Sequence, residues 1–280
     1  MKPADTPLAD FIAELRKHFH GDIRFDPAAR ILYSTDASIY QIEPLGVLLP
    51  RTQEDLHAAV ELAARFRLPL LPRGAGSSLA GQAIGQAVIL DVSRWLNRLI
   101  EINPEARTAT VEPGLVLAKL NREAAKFGLQ FGPDPASAER ATLGGVIGNN
   151  ATGAHSILYG MTADHLISAD TILADGSLAT WGEVNLNRQQ QAWQGDSLFS
   201  ALIRTVGEIR QNYAAAIRQY FPHSWRNSAG YRLNYLLPWS PAVPPRWEAA
   251  YGPQGTHGYP PLGAGDFNLA ALLAGSEGTL

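Results

Sequence analysis

Leu71-Pro72-Arg73-Gly74-Ala75-Gly76-Ser77-Ser78-Leu79-Ala80-Gly81-Gln82 places three glycines and two serines directly after the strand-like run Pro69-Leu70-Leu71. Backbone amides in such a loop can approach a ligand closely, and glycine permits the left-handed conformations that turn several N–H groups the same way. The stretch reads as an anion cradle, most often one for a phosphate. Two familiar cradles fail on spelling. A Walker A loop needs Lys and then Ser or Thr after its last glycine, whereas Gly76 to Gly81 is followed by Gln82 and Ala83. A Rossmann fingerprint begun at Gly74 meets Leu79 where its last glycine should stand, and Ala87–Val92 reads as a strand rather than the helix that fingerprint opens. Alone, the loop is as consistent with a flexible surface turn as with a cradle.

Outward from the loop, Val47-Leu48-Leu49 reads as a short buried strand. Pro50 and Thr52 open a helix, with Asp55 placed as in a capping box, and Leu56, Ala59, Val60, Ala63 and Ala64 carry it to Phe66. With the strand Leu68–Leu71 this makes a βαβ unit whose second strand delivers the glycine loop. Residues 8–20 read as a helix and Ile31–Pro44 as a loop holding Tyr33 and Tyr40. Downstream come the strands Ala87–Val92, Leu99–Asn103 and Thr108–Glu112, then a helix Val116–Phe127 ended by Gly128. Ile167–Leu173 and Ser177–Trp181 form a hairpin about Ala174-Asp175-Gly176. Leu198–Tyr220 and Asn268–Leu273 read as helical, and Pro238–Pro261, with seven prolines, as a long loop. Single helices alternating with parallel and hairpin strands point to the α+β class. The expected division is an N-terminal helix and lead-in over 1–45, a first subdomain over 46–95 and a second over 96–280, with an insertion at 183–262.

The chain has 280 residues, 46% hydrophobic and 18% charged, with a formal net charge of -3. That balance gives no basic field to attract nucleic acid. No apolar run is long enough to span a bilayer. The first twenty residues carry Asp5, Asp10, Glu14, Arg16 and Lys17 in an amphipathic pattern unlike a leader. A cytoplasmic protein is expected, or one peripheral to the inner face of a membrane. The absence of cysteine excludes a disulfide framework, an iron–sulfur cluster and a thiol nucleophile within these residues. The seven histidines show no zinc-site spacing, so no metal is expected. The chain stops inside the small-residue turn Gly275-Ser276-Glu277-Gly278-Thr279-Leu280, which suggests a partial chain.

Four glycine-rich segments lie at the ends of expected elements: Pro72–Gln82, Glu112-Pro113-Gly114, Phe131–Gly160 and Gly275–Leu280. Thr142-Leu143-Gly144-Gly145 opens a short helix whose first amides suit a pyrophosphate. Several close-approach segments imply an elongated ligand, and a dinucleotide fits better than a single phosphate.

The order PRGAGSSLAGQ, VEPG, FGPDP, TLGGVIGNNATG, a Tyr-Gly pair, a hairpin with ADG and a final GSEGTL resembles the FAD-binding domain of the vanillyl-alcohol oxidase/p-cresol methylhydroxylase flavoprotein family. Within that family it is most similar to the FAD-linked D-2-hydroxyacid dehydrogenases, such as the D-lactate and D-2-hydroxyglutarate dehydrogenases and the glycolate oxidase D-type subunit. The resemblance implies a p-cresol methylhydroxylase-type fold of two α/β subdomains with the FAD between them, and a C-terminal cap domain that this chain lacks. It implies that Pro72, Arg73, Gly74, Ala75, Gly76, Ser77 and Ser78 wrap the pyrophosphate, with Gln82 on the far side and Pro113 and Gly114 nearby. Pro133 and Asp134 match the segment beside the cofactor, and Thr142, Leu143, Gly144 and Gly145 the helix start. Asn149, Ala151, Thr152 and Gly153 match the turn passing the flavin, followed by Ser156, Tyr159 and Gly160. Ile167 matches the adenine end, and Glu277 and Gly278 the returning terminal motif.

Family members with covalent flavin often carry histidine in or beside the first loop. Ala75, Ser77 and Ser78 stand there in this chain, so the resemblance implies noncovalent FAD, His155 being the sole nearby candidate for a link. Arg226 in Arg226-Asn227-Ser228-Ala229-Gly230-Tyr231-Arg232-Leu233 is a candidate partner for a substrate carboxylate, against the plain reading of a surface arginine. His155 is a candidate donor to flavin or substrate, against a structural role. The implied activity is oxidation of a small D-2-hydroxy acid to the 2-oxo acid, with a quinone chain or an iron–sulfur region as the implied electron acceptor. The alternatives are a sugar or alcohol oxidase of the same superfamily and a non-catalytic FAD-binding subunit of a larger oxidase complex.

Overall fold

Helix α1 (Thr6–His18) turns Phe11 and Leu15 inward, and both are fully buried. They pack with Ala59, Leu62 and Ala63 of helix α3 (Gln53–Phe66). Thr52 caps α3 by accepting from the Asp55 amide at 3.2 Å, and Arg67 ends it in the left-handed region, φ 54°. The Asp55 carboxylate, fully buried, accepts from the His20 amide at 2.7 Å and the Arg51 amide at 2.8 Å. One side chain thus satisfies the helix entrance and the chain leaving α1. The computed structural model describes residues 6–185, 195–222, 226–228, 230–237 and 266–277.

Under these helices lies a four-stranded sheet of β1 (Asp22–Arg24), β2 (Gly46–Leu49), β3 (Leu70–Arg73) and β4 (Val88–Asp91), in the order β1-β2-β4-β3. β2 and β3 both run parallel to β4, and β1 is antiparallel to β2. The βαβ unit β2-α3-β3 therefore leaves a gap that β4 fills. Composition explains the order: Val88, Ile89 and Leu90 are buried on both faces, as a central parallel strand requires, whereas β3 carries a proline and takes the edge. Leu48, Val88 and Leu90 face α1 and α3, while Val47, Leu49 and Ile89 face Ala29 of helix α2 (Pro27–Leu32) together with Tyr33 and Leu71. The stretch expected as loop from Ile31 thus begins inside a short helix, which Asp26 caps by accepting from the Ala29 amide.

The hairpin of β5 (Leu99–Asn103) and β6 (Thr108–Val111) follows, then α4 (Leu117–Ala124), extended by a 3-10 turn to Phe127 and closed by Gly128 at φ +70°. Two compact units result. One comprises Met1–Phe131, Ser137–Val146 and Ala174–Gly176, and the other Gly132–Ala136, Ile147–Leu173 and Ser177–Leu280. They do not part at residue 95. The Gly114 amide donates to Leu96 and the Glu112 amide to Arg98, so the hairpin is stitched to the chain entering it, and Leu115 and Leu117 are fully buried.

Helix α5 (Leu143–Gly148) leads to α6 (Ser156–Tyr159) and to the antiparallel pair β7 (Ala169–Ile172) and β8 (Leu178–Trp181). β9 (Glu183–Asn185) pairs with β10 (Asp266–Asn268). Their core joins Trp181, Val184, Ile203, Val206, Leu236 and Phe267. The expected insertion therefore supplies core side chains, among them Ile203, Val206 and Leu236. The helix expected over Leu198–Tyr220 is two, α7 (Leu198–Asn212) and α8 (Ala214–Tyr220), broken where Tyr213 leaves helical geometry at φ -115°. The helix expected over Asn268–Leu273 is a strand end followed by a 3-10 turn, because the Asn268 side chain accepts from the Ala270 amide. The proline-rich run 238–261 lies outside the described residues. No described helix is long and apolar enough to cross a membrane.

Candidate functional site

The glycine loop leaves β3 at Arg73, and from Gly74 through Gln82 no backbone amide donates a hydrogen bond among the described residues. Gly76 and Gly81 adopt positive φ, +64° and +86°, which an L side chain would resist. Pro72–Gln82 contains no carboxylate to oppose a phosphate. A partly open run of unpaired amides with one sign of charge is the donor set of an anion site. Ser78 donates to Gln82 across the base of the loop. Pro72 itself sits on β3.

Glycines also let three segments of this first unit close on one another. A Cβ on Gly74 would strike the Thr142 hydroxyl, and one on Gly114 would strike the carbonyls of Val92 and Leu96. A Cβ on Gly144 would lie 3.0 Å from that of Pro113. Thr142 is 2% exposed, and its hydroxyl has no partner among the described residues.

The start of α5 differs from expectation. The Leu143 amide donates to Leu115 and the Gly144 amide to Pro113, both at 2.8 Å. Those donors serve the 113–115 turn, so the amides of Leu143 and Gly144 are already engaged within the fold. The amide of Gly145 is not used in this way. Arg73 also differs: its guanidinium is spread over the carbonyls of Tyr33, Thr35 and Ala83.

A second cluster lies within the second unit. Asp134, Asn150 and Glu277 all adopt positive φ, at 51°, 44° and 50°, although none is glycine. Such conformations cost of order 1–3 kcal/mol each and gather at functional sites. Here they are held from several sides. Ser156 accepts from the Gly153 amide at 2.9 Å and donates to Pro133 at 3.3 Å, while the Ala154 amide donates to Asp134. Buried Asn150 accepts from the Ala163 amide and donates to the Met161 sulfur. The Gly275 amide donates to Ile147 and the Glu277 amide to Gly148, which docks the terminal motif on the 147–153 turn. Asn149, Ala151 and Thr152 lie in that turn. Gly278 lies outside the described residues.

Charged side chains rim this cluster. Arg226 donates to the Thr152 hydroxyl at 3.1 Å, and exposed His155 places Nδ1 3.3 Å from the Asp134 carboxylate. Arg232 is completely buried: it donates to the Asn227 carbonyl and stacks on Tyr235 at 5.0 Å. Nothing in the spelling around Arg232 signals that burial. Ile167 stands apart from these groups, 62% exposed before β7, its carbonyl accepting from Asn268.

His165 carries no sequence signal either. Its Nε2 lies 2.8 Å from the Tyr159 carbonyl, and because a carbonyl only accepts, Nε2 carries the proton. A Cβ on Gly132 would touch the same ring. His165 therefore fixes the Tyr159-Gly160 turn, where Gly160 sits at φ +80°. Burial lowers its pKa, with the Tyr159 bond and Asp164 opposing. A folded-state pKa below the ordinary value means the unfolded chain takes the proton first as pH falls. The stabilisation is thus present above about pH 6.5 and is lost as pH falls through the folded value. Urea midpoints of native protein and His165→Gln, taken at about pH 7.5 and about pH 5, should fall more steeply for the native side chain. Parallel losses would remove His165 from the acid response.

Residues 44–182 match the family described as an FAD binding domain. D-2-hydroxyglutarate dehydrogenase of Escherichia coli (strain K12) is 33% identical over 277 residues, covering 98% of this chain and 25% of the relative. Glycolate oxidase subunit GlcD of Bacillus subtilis (strain 168) is 35% identical over 159 residues, covering 55% of this chain and 33% of the relative. Among solved structures, an alkyldihydroxyacetonephosphate synthase aligns with a TM-score of 0.55 at 26% identity, covering 61% of this chain and 37% of that one. The chain spans about a quarter of the length of the D-2-hydroxyglutarate dehydrogenases it matches. With the α+β architecture, these matches make residues 44–182 an FAD-binding domain of the p-cresol methylhydroxylase type.

Proposed function

We propose that this chain is the FAD-holding part of an oxidoreductase that converts a D-2-hydroxy acid, of the D-2-hydroxyglutarate, D-lactate or glycolate class, to the 2-oxo acid. The observation that carries this reading is the row of unpaired amides from Gly74 to Gln82 on a loop without carboxylates. These amides hold the pyrophosphate of FAD, with Gly114, Thr142, Gly144 and Gly145 closing the wall behind them. Asn149, Ala151, Thr152, Gly153 and the 275–277 motif receive the flavin end, and the left-handed Asn150 and Glu277 within these segments are already held in place before binding. Tyr159, Gly160 and Ile167 belong to the remaining length of the cofactor.

FAD, when bound, supplies the two-electron acceptor for oxidation at the carbon bearing the hydroxyl. The chain's own residues bind and orient. Arg226, steadied by Thr152, presents a planar fork suited to a substrate carboxylate. His155, oriented by Asp134, donates a hydrogen bond to the flavin or to that carboxylate. Residues 74–82 contain no histidine, cysteine or tyrosine, so the flavin is held without a covalent bond.

The test is anaerobic reduction of the FAD-loaded protein. D-2-hydroxyglutarate, D-lactate or glycolate should bleach the flavin, and Arg226→Ala should keep FAD but raise the hydroxy-acid concentration needed at least about tenfold, as loss of a charge-assisted pair predicts. Bleaching by sugars alone would assign an oxidase of another substrate class. After trichloroacetic acid precipitation the yellow colour should leave the pellet; a yellow pellet would show a covalent flavin.

A further inference from the structure

We infer that Arg73 is a positioning residue: its guanidinium sets the shape of the glycine loop through the 33–37 segment and is not a ligand of the cofactor phosphate. This rests on the reading that the loop holds FAD.

Arg73 is the last residue of β3, so its backbone is fixed by the sheet where the loop begins. Its side chain turns back under the loop. Nη1 donates to Ala83 at 2.9 Å and to Tyr33 at 3.2 Å, and Nη2 donates to Thr35 at 2.8 Å. The cation lies 5.1 Å from the Tyr33 ring centre. The Tyr33 hydroxyl in turn donates at 2.6 Å to Asp91, which pairs in register with Arg73 on β4. Arg73, Tyr33 and Asp91 thus close a circuit that begins and ends on neighbouring strands.

The 33–37 segment holds both limbs of the loop. The Ala37 amide donates to the Gly76 carbonyl at 3.0 Å, and Asp36 accepts from the Ala83 amide at 3.4 Å. A Cβ on Gly76 would lie 2.6 Å from Nη2, so the guanidinium itself fills the space beneath the turn. Holding three separated carbonyls requires a planar fork with several fixed donors. An ammonium has its donors on one atom and cannot span the three. The carbonyls crowding this guanidinium also make its face a poor seat for a phosphate, while the loop amides above remain unpaired.

The experiment measures FAD affinity by flavin fluorescence and amide hydrogen exchange of the FAD-free chain for native protein, Arg73→Lys, Arg73→Gln and Tyr33→Phe. Both Arg73 variants should weaken FAD at least tenfold, about 1.4 kcal/mol, and should speed exchange at 33–38 and 74–84 before any FAD is added. Tyr33→Phe, which keeps the ring and loses the link to Asp91, should do the same to a smaller degree, and it carries the test if the Arg73 variants do not fold. Weakened FAD binding with unchanged exchange in the FAD-free chain would make Arg73 a direct ligand and overturn the inference. Native behaviour of Arg73→Lys in both measurements would overturn it as well. Gly74→Val separates the two levels: if it still binds FAD, the reading of the loop as the FAD cradle fails, whatever the exchange at Arg73 shows.

Discussion

Gly153→Ala is expected to abolish FAD binding and to lower stability by about 3 kcal/mol or more. The added Cβ would meet the Asp134 carbonyl and the Pro133 carbonyl, both backbone atoms that no side-chain rotation can move aside. Relief requires the 133–134 turn to withdraw from the 153 turn. That breaks the Ala154 amide bond to Asp134 and the Ser156 bridge between Gly153 and Pro133. Asp134 then loses the restraints that keep it at φ 51° and relaxes out of the left-handed region. Denaturant midpoints and FAD titration check this. The control is Gly148→Ala, where a Cβ meets nothing within 4 Å and lies in helix α5, so that change should be neutral or slightly stabilising. A native-like Gly153→Ala would show that the two turns part easily and are not a rigid seat.

Gly74→Val should leave the chain folded but reduce FAD affinity at least about a hundredfold, close to 2.7 kcal/mol. The obstacle here is a side chain, the Thr142 hydroxyl, backed by its Cβ at 3.2 Å and its Cγ2 at 3.4 Å. Thr142 is branched and buried, so rotation exchanges one clash for another. The loop must lift off Thr142, and the unpaired amides from Gly74 onward move with it. Overpacking of this kind costs about 1–3 kcal/mol, which the loop absorbs by moving. Thr142→Ala should restore part of the affinity lost in Gly74→Val, since it removes the nearest atom. Additive losses in that double-mutant cycle would deny the contact.

These two glycines show what the spelling can and cannot carry. In Thr142–Gly153 the letters present Gly144, Gly145, Gly148 and Gly153 alike, yet Gly153 faces backbone, Gly144 faces Pro113, and Gly148 faces open space. The order of the glycine segments is enough to reach the family, because each segment must sit at the end of an element. Strands are legible as well: β2 is an unbroken apolar run, β4 is one up to its final Asp91, and β5 matches its expected span residue for residue. Their neighbours are not legible, since nothing local tells β3 that β4 will come between it and β2. Long-range hydrogen bonding is also hidden. In the letters alone the first amides of α5 look available for phosphate, whereas in the fold Leu115 accepts from the Leu143 amide and Pro113 from the Gly144 amide, partners far away along the chain. Residues 33–37, which read as loop, and Arg73, which reads as a ligand, exchange importance for the same cause.

Pro72 interrupts the free margin of the first sheet. The Val88 amide donates to the Pro69 carbonyl and the Val92 amide to the Arg73 carbonyl, so alternate residues of β3 face β4 and the nitrogen of Pro72 points away from the sheet. β3 is an outer strand of that sheet. An outer strand normally offers a row of donors on which a second polypeptide can add itself. Proline leaves a gap in that row at the residue before Arg73, without disturbing the bonds to β4. An edge strand so interrupted is a poorer template for a second chain than one with an unbroken row of donors.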